Sequence, residues 1–325
     1  MTKLSRLLAG AALALAPIAA HAETWDMPVA YPASNYHTEN AVQFAEDVAE
    51  MTNGELEITV HPGGSLYKGD EIKRAVQTGQ AQIGERLISA LANENPLFGI
   101  DALPFLATSF EEAKKLYEAS KPALEEVLGQ QNLKLLYAVP WPPQGLYTQK
   151  PLESKADMAG VKFRAYNAAT ARVAELMGAV PTQIEEAELA QAFATGVAES
   201  MISSGSTGYD RKMWEHTSHW YDAQAWLPKN MVIVNQDAFD GLPEDQQQAL
   251  LDAAAEAEER GWQKAEELAD WYKEQLAAEG MEVGPPGEQL KQDFEAIGET
   301  MTQEWLKEAG EKGQLVIDAY ERAAG

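Results

Sequence analysis

The residue best equipped to bind a small anion is Arg164, which stands near the end of a predicted strand over residues 161–165. The guanidinium group is planar, and its fork of N–H donors matches the geometry of a carboxylate. Asn167 follows at the predicted start of the next helix, where its amide could cap that helix or contact a ligand. The alternative for Arg164 is a surface position with a neighbouring glutamate as its ion-pair partner.

Aromatic and hydroxyl side chains stand near other predicted strand ends. Trp141 lies among prolines, where it could form one wall of a ligand site or pack in a core. Ser203, Ser204 and Tyr209 follow the last strand predicted in the second half of the chain. They could be polar contacts to a ligand or part of a turn rich in Ser and Gly. His37, at the first strand–helix junction, could contact a ligand, cap the helix or lie on the surface.

The sequence contains no recognisable enzyme motif. The segment 203–208 is not the G-x-S-x-G nucleophile elbow, and His216 and His219 do not form the zinc motif H-E-x-x-H. The sequence has no Cys, which excludes thiol catalysis and cysteine metal sites. We therefore expect no cofactor and no bound metal. The enzyme alternative is an exported α/β hydrolase or lyase, for which no nucleophile with a matched base is visible.

The charge balance excludes one class of partner. The chain has 51 acidic and 25 basic side chains, for a net charge of −26. Nucleic acids and anionic lipids are bound through clusters of Lys and Arg, so we expect neither as a partner. The acidic excess favours solubility, and a saline habitat is one hypothesis for it because salt screens the self-repulsion.

The N-terminal residues have the pattern of a secretory signal peptide. Lys3 and Arg6 precede an apolar stretch over residues 7–20, and Ala-His-Ala ends at Ala22 in a small-x-small cleavage pattern. We expect a signal peptide over residues 1–22, a mature chain that begins near Glu23, and a periplasmic location. A retained N-terminal anchor is the alternative. No later segment has the roughly 18 uninterrupted apolar residues of a membrane span.

Strand and helix patterns alternate in both halves of the chain, which predicts parallel strands with helices packed on them. About 300 mature residues are more than one hydrophobic core usually supports, so we expect two α/β lobes. Each lobe should bind ligand at the carboxyl ends of its strands. The predicted elements are strands at 24–31, 56–60, 81–84, 161–165, 180–182 and 197–202, and helices at 41–51, 69–78, 168–177 and 186–194.

A long helix is predicted from Pro243 to Gly280. Proline and acidic residues suit its first turn, and roughly 36 residues at 1.5 Å each would reach about 55 Å, enough to cross both lobes. Gly261 could mark a bend within it. The segment 289–324 is also predicted to be helical.

Several segments together resemble the solute-binding proteins of tripartite ATP-independent periplasmic (TRAP) transporters, the DctP-like family. The resemblance covers nearly the whole mature chain, and its most specific part is Met-Ala-Gly-Val-Lys-Phe-Arg-Ala at 158–165. The other segments that carry it are 34–48, 63–66, 75–83, 100–106, 177–181, 188–196 and the long helix after 242–243.

The resemblance implies an α/β, two-lobed periplasmic-binding-protein-like fold, with a ligand cleft between the lobes and a long bracing helix. Lobe I would comprise residues 23–144 plus about 229–272, and lobe II residues 145–228 plus about 273–325. The protein would not be an enzyme. It would bind a small-molecule solute and deliver it to the membrane permease subunits of a TRAP transporter.

The resemblance also implies which residues bind the solute. The position of Arg164 is the one that pairs with the ligand carboxylate, and Asn167, Gln144, Glu85 and Glu186 match regions that contact ligand in relatives. The alternatives are an internal ion pair for Glu85 and a solvated helix start for Glu186.

Glu199 and Ser200 stand where relatives commonly have Asp-Gly, and residues 201–204 also depart from the family pattern. These departures leave the ligand open between a small organic acid, a zwitterion, and a small amine held by the acidic residues.

Overall fold

The computed structural model describes residues 22–324 of the chain. The predicted signal peptide therefore lies outside the described residues except for Ala22. Among the helices in the described range, none combines the length and the apolar character that a membrane crossing requires.

The chain begins with a β-α-β unit. Strand β1 (Glu23–Pro28) leads to helix α1 (Tyr36–Met51), and strand β2 (Leu56–His61) returns parallel to β1. Helix α2 (Ile72–Gln77) then precedes strand β3 (Ile83–Leu87), which packs beside β1. Helix α1 forms because its apolar residues recur at helical spacing and are buried against the sheet. These buried residues are Ala41, Phe44, Ala45 and Val48.

The next sheet departs from the parallel pairing that the sequence predicts. Helix α3 (Phe110–Gly129) leads to strand β4 (Leu133–Pro140), and strand β10 (Lys229–Asn235) returns from the far half of the chain to lie between β3 and β4. Strand β10 is antiparallel to both neighbours. The prediction of parallel strands is therefore wrong here, because alternation along the sequence cannot reveal a strand inserted from far away. These two sheets form lobe I.

Lobe II is built on one mixed sheet of six strands. Its strands are β5 (Gln144–Thr148), β6 (Lys162–Ala165), β7 (Val180–Gln183), β8 (Ser200–Ser204), β9 (His219–Tyr221) and β11 (Glu282–Gly284). Their order in the sheet is β11-β9-β5-β8-β6-β7. The helices between them are α4 (Ala168–Leu176), α5 (Leu189–Ala194) and α6 (Gly205–Asp210). Strand β6 is parallel to β7 and β8, whereas β5 is antiparallel to β8 and β9.

Two antiparallel segments connect the lobes. The backbone N–H of Trp141 donates to the carbonyl of Pro228 at 2.8 Å, and the N–H of Gln144 donates to the carbonyl of Trp226 at 3.0 Å. The ends of β4, β5 and β10 therefore meet at this crossing, between the two groups of strands.

A long helix braces the two lobes, as the sequence predicts. After the short helix α7 (Gln236–Gly241), helix α8 (Glu244–Ala278) runs for 35 residues, about 52 Å. It contacts α1 and β4 in lobe I, and α6 and β11 in lobe II. The helix is continuous through Gly261, where a Cβ would lie 2.4 Å from Cγ2 of Val139. The glycine therefore serves close packing of α8 on β4 rather than the bend that the sequence suggested.

The C-terminal helix α9 (Glu288–Ala324) is interrupted at Gly310, where φ is 60° and ψ is −144°. Before this point it packs into a core of lobe II through Leu290 and Phe294. After it, Ile317 and Tyr320 pack into the core of lobe I. Helix α9 thus contacts both lobes.

Candidate ligand-binding site

A small cavity of about 50 Å³ lies between the lobes beside the crossing segments. Lobe I contributes Tyr31, Arg86 and Trp141 to its wall, and lobe II contributes Arg164 and Ser203 among others. Most of the wall comes from residues at or just beyond the carboxyl ends of strands, which is where ligands bind in open α/β sheets.

Arg164 lies on β6 with its side chain 3% exposed. Its Nε donates to the carbonyl of Ile184 at 2.9 Å, and its guanidinium carbon lies 5.2 Å from the ring centroid of Tyr166. Within residues 22–324, no carboxylate forms an ion pair with it. Burial lowers the pKa of Arg164, and the nearby Glu186 opposes that shift. The guanidinium remains charged because arginine starts from so high a pKa, and it faces the cavity without a counter-ion.

Two further arginines near the cavity are already matched by glutamates. Arg86 Nη1 lies 3.5 Å from Oε2 of Glu185, and both residues line the cavity. Glu186, also on the cavity wall, is held by the guanidinium of Arg211 through both carboxylate oxygens. Of these three guanidinium groups, only that of Arg164 has no carboxylate partner among the described residues. The arrangement is matched to a ligand with one negative charge.

Trp141 forms an aromatic wall whose position depends on Asn230. The indole N–H donates to Oδ1 of Asn230 at 2.9 Å, and the hydroxyl of Tyr31 donates to the same oxygen at 3.3 Å. Trp141 and Tyr31 meet edge to face with ring centroids 4.8 Å apart. The Nδ2 of Asn230 donates to Oε1 of Glu85 at 2.6 Å, so this amide is satisfied on both sides.

Glu85 and His37 lie behind this wall and do not line the cavity. His37 Nδ1 is 3.2 Å from Oε1 of Glu85, and both side chains are buried. Within the described part of the chain, Glu85 Oε2 and His37 Nε2 have no hydrogen-bond partner. Neighbouring residues in a strand point to opposite faces, so Arg86 rather than Glu85 reaches the cavity.

Gln144 lines the cavity but is largely committed to the protein. Its Nε2 donates to the carbonyl of Pro142 at 3.0 Å, and its Oε1 accepts from the hydroxyl of Tyr166 at 3.2 Å. The indole of Trp226 donates to the same hydroxyl at 3.1 Å. These bonds orient Tyr166 across the guanidinium of Arg164.

Ser203 and Ser204 both line the cavity, and they lie at the end of strand β8 rather than in the turn that was the alternative. Ser204 Oγ caps helix α6 by accepting from the N–H of Thr207 at 3.2 Å. Tyr209 lies away from the cavity wall, packed edge to face on Trp271 with ring centroids 4.9 Å apart.

Asn167 is the N-cap of helix α4. Its Oδ1 accepts from the N–H of Thr170 at 2.8 Å, and its Nδ2 donates to Oγ of Ser89 at 2.9 Å. Both side chains are buried. Asn167 therefore does not line the cavity, although it is next to the residues that do.

The predicted residues that line one cavity are Trp141, Gln144, Arg164, Glu186, Ser203 and Ser204. Those outside it are His37, Glu85, Asn167 and Tyr209. Sequence reasoning missed Tyr31, Arg86, Tyr166 and Glu185. Neighbouring residues in a strand point to opposite faces. Placing Glu85 on the inner face would therefore have placed Arg86 on the face toward the cavity.

Comparison with known proteins identifies related receptors. The family model described as "Bacterial extracellular solute-binding protein, family 7" (DctP) matches residues 29–308. A C4-dicarboxylate-binding periplasmic protein of Rhodobacter capsulatus is 29% identical over 226 residues, which span 67% of this chain and 66% of that protein.

Two similar solved structures are closer in sequence. A TRAP solute-binding protein of an unidentified marine microbe, in complex with co-purified pyroglutamate, is 54% identical. It has a TM-score of 0.92 and covers 93% of this chain and 99% of its own. DctP6 of Bordetella pertussis, a receptor that binds pyroglutamic acid, is 52% identical. Its TM-score is 0.91, over 92% of this chain and 99% of its own.

Proposed function

Because the chain belongs to the bacterial extracellular solute-binding protein family 7, we propose that it is a TRAP-transporter receptor for pyroglutamate. Pyroglutamate binds between the lobes in the cavity that Arg164 lines. The receptor then delivers it to a membrane permease.

The observation that carries the proposal is the buried Arg164 guanidinium, which faces the cavity without an ion-pair partner in the described chain. A carboxylate supplies the missing counter-charge and accepts two parallel N–H bonds from the guanidinium fork. Placing a cation in a poorly hydrated site is unfavourable by itself, so the ligand recovers free energy that the empty site lacks. Arg164 is the residue that binds the carboxylate.

The remaining charges favour a monoanion with a neutral polar group. Pyroglutamate has one carboxylate and a lactam, which offers one N–H donor and one carbonyl acceptor and carries no charge. Glu185 and Glu186 are acceptors for the lactam N–H, and Arg86 and Ser203 are donors for its carbonyl. A dicarboxylate would bring a second charge without a cation to meet it. Two proteins that are 54% and 52% identical bind pyroglutamate, which supports the same ligand here.

The arrangement gives less support to an amine ligand. Both carboxylates on the cavity wall already face arginines, Glu185 facing Arg86 and Glu186 facing Arg211. Glu85, the third acidic residue considered, lies behind the wall. An ammonium group would therefore meet the unpaired charge of Arg164 with no free carboxylate to offset it.

We also propose the boundaries of the two lobes and the cellular location of the protein. Lobe I comprises residues 23–144 and about 229–272, and lobe II comprises 145–228 and about 273–325. The end of α9, which this division counts with lobe II, also packs on the core of lobe I through Ile317 and Tyr320. Export through a signal peptide over residues 1–22 places the receptor in the periplasm, and N-terminal sequencing of the exported protein should begin near Glu23.

The test is calorimetric titration of the mature protein with pyroglutamate and three analogues. 2-Pyrrolidinone keeps the lactam but lacks the carboxylate, proline replaces the lactam with an ammonium group, and succinate carries two carboxylates. We expect pyroglutamate to bind at least a hundredfold more tightly than each analogue. Arg164→Ala should weaken pyroglutamate binding about a hundredfold or more, since truncating one partner of a buried charge pair costs about 2–5 kcal/mol.

The matched control is Arg172→Ala. Arg172 is an exposed arginine whose guanidinium bonds Glu304 and Glu175 far from the cavity, so its loss should leave pyroglutamate affinity unchanged. Tight pyroglutamate binding by the Arg164→Ala protein would overturn the role of Arg164. Binding of proline or succinate in preference to pyroglutamate would overturn the proposed ligand.

A further inference from the structure

Two asparagines occupy the same place in the two lobes. Asn35 is the N-cap of α1, the helix of the parallel β1-α1-β2 unit. Asn167 is the N-cap of α4, the helix of the parallel β6-α4-β7 unit. Each N-cap lies beyond the carboxyl end of its strand, at the edge that faces the cleft.

Each asparagine uses its two amide atoms for different lobes. The Oδ1 of Asn35 accepts from the N–H of His37 at 2.9 Å, which caps its own helix. Its Nδ2 donates across the cleft to Oδ2 of Asp210 at 2.6 Å and approaches Oγ of Ser206 at 3.4 Å. Asp210 and Ser206 lie on α6 of lobe II.

The bond of Asn167 runs in the opposite direction. Its Oδ1 caps α4 of lobe II, and its Nδ2 donates to Oγ of Ser89, in the turn that follows β3 of lobe I. Asn35, Asn167 and Ser89 are each buried. Opening the cleft would break both bonds and leave these groups to water.

We propose that Asn35 and Asn167 are reciprocal interlobe latches, which position the two lobes in the closed form and slow the release of the solute. The helix caps tie each asparagine rigidly to its own lobe, so each Nδ2 is aimed before the lobes meet. This preorganisation lowers the entropy lost on closure. The proposal requires that the two lobes open and close around the solute of the proposed function, and it does not depend on which solute that is.

A capping asparagine elsewhere in the chain provides a matched control. Asn235 caps α7 through Oδ1, which accepts from the N–H of Ala238 at 3.0 Å. Its Nδ2 donates to the carbonyl of Val76 at 2.9 Å, within lobe I. An Asn→Asp change keeps the cap at every one of these positions, because aspartate caps helices as well as asparagine does. It removes the amide donor and replaces it with a negatively charged carboxylate oxygen.

The test compares Asn35→Asp, Asn235→Asp and the double variant Asn35→Asp with Asp210→Asn. Asn35→Asp sets two carboxylates against each other across the cleft, whereas the double variant restores the hydrogen bond with donor and acceptor exchanged. We expect pyroglutamate to dissociate about tenfold faster or more from Asn35→Asp, and at close to the wild-type rate from the double variant. Ser89→Ala should also accelerate dissociation.

Closure is measured separately through the distance between two labels. The chain has no Cys, so Glu46→Cys in lobe I and Gln191→Cys in lobe II, both exposed, give unique attachment sites. With pyroglutamate bound, Asn35→Asp should shift the distance distribution toward the open form. Asn235→Asp should lower thermal stability but leave both the distance and the dissociation rate unchanged.

Equal effects of Asn35→Asp and Asn235→Asp on stability, with unchanged dissociation and distance, would show a structural role only and overturn the latch. A double variant that behaves like Asn35→Asp would also overturn it. If wild-type protein fails to bind pyroglutamate, the proposed ligand is wrong. The latch proposal is then tested with the ligand-free protein, in which Asn35→Asp must still lower the fraction of molecules in the closed form.

Discussion

Replacing Arg164 with methionine should uncouple ligand binding from stability. Methionine has an unbranched side chain that fills much of the same space, but it carries no charge and no donors. Arg164 is 3% exposed and makes one hydrogen bond to the protein, from Nε to the carbonyl of Ile184. If the guanidinium serves ligand binding and not the stability of the fold, the ligand-free protein should tolerate its loss.

The expected magnitude follows from two opposing contributions. Replacing buried charge with apolar side chains of similar volume ranges from neutral to stabilising by about 1–4 kcal/mol. The lost bond to Ile184 is worth about 1 kcal/mol. The free energy of unfolding of the ligand-free Arg164→Met protein should therefore lie between a fall of about 1 kcal/mol and a rise of about 3 kcal/mol. Pyroglutamate affinity should fall by a hundredfold or more.

The assay is urea unfolding of ligand-free protein, followed by calorimetric titration with pyroglutamate. Ligand must first be removed by unfolding and refolding, because any that co-purifies would raise the apparent stability of the wild type. Arg172→Met, at an exposed ion pair, is the control and should change stability by no more than about 1 kcal/mol. A fall of 3 kcal/mol or more in Arg164→Met would refute the reasoning, because Arg164 would then be part of the structural framework.

Three other substitutions test the structure around the site. Burial raises the pKa of Asp210 to about 6, so the fold holds an extra proton at low pH and loses stability as the pH rises from about 4 through 6. When the free energy of unfolding is measured against pH, Asp210→Asn should remove up to about 3 kcal/mol of this loss. Parallel curves for the wild type and the variant would contradict this prediction. Gly261→Ala should lower the free energy of unfolding by about 1 kcal/mol or more, because the added Cβ clashes with Val139. Adding Val139→Ala to this variant should relieve the clash. Asn230→Leu should lower the free energy of unfolding measured with urea by about 3 kcal/mol or more, because it removes the amide donor to the buried carboxylate of Glu85. A smaller loss would contradict this prediction.

Much of the fold could be predicted from local patterns. The helical stripe of α1, the alternation of β2 and the long run of α8 each depend on neighbouring residues, and each is present close to the predicted bounds. The family match over residues 29–308 confirms the prediction of a TRAP-type solute receptor, and membership in that family makes the chain a receptor rather than an enzyme. The position of β10 could not be predicted in this way, because its pairing with β4 and β3 joins residues 89 to 151 positions apart.

The site was harder to predict than the fold because it depends on which face of each strand meets the other lobe. Arg164 lines the cavity, as the resemblance led us to expect, and its role in binding stays a prediction. Of the neighbours Glu85 and Arg86, the sequence pointed to Glu85, whereas Arg86 is the one that lines the cavity. Asn167 was predicted to contact ligand or to cap a helix; it forms the cap and does not line the cavity. Its partner Ser89 comes from the other lobe, a contact that no local pattern contains.

The unpaired charge of Arg164, which we propose binds the solute, would also let the solute control closure. Closing the cleft around an empty cavity would take the guanidinium of Arg164 out of water with no counter-ion, and this desolvation opposes closure. A bound carboxylate removes the penalty, and so it stabilises the closed form more than the open form. A ligand shifts an equilibrium only by such a difference in affinity. The interlobe bonds of Asn35 and Asn167 favour closure whether or not ligand is present, so the balance between them and the bare Arg164 charge sets how strongly closure depends on the solute.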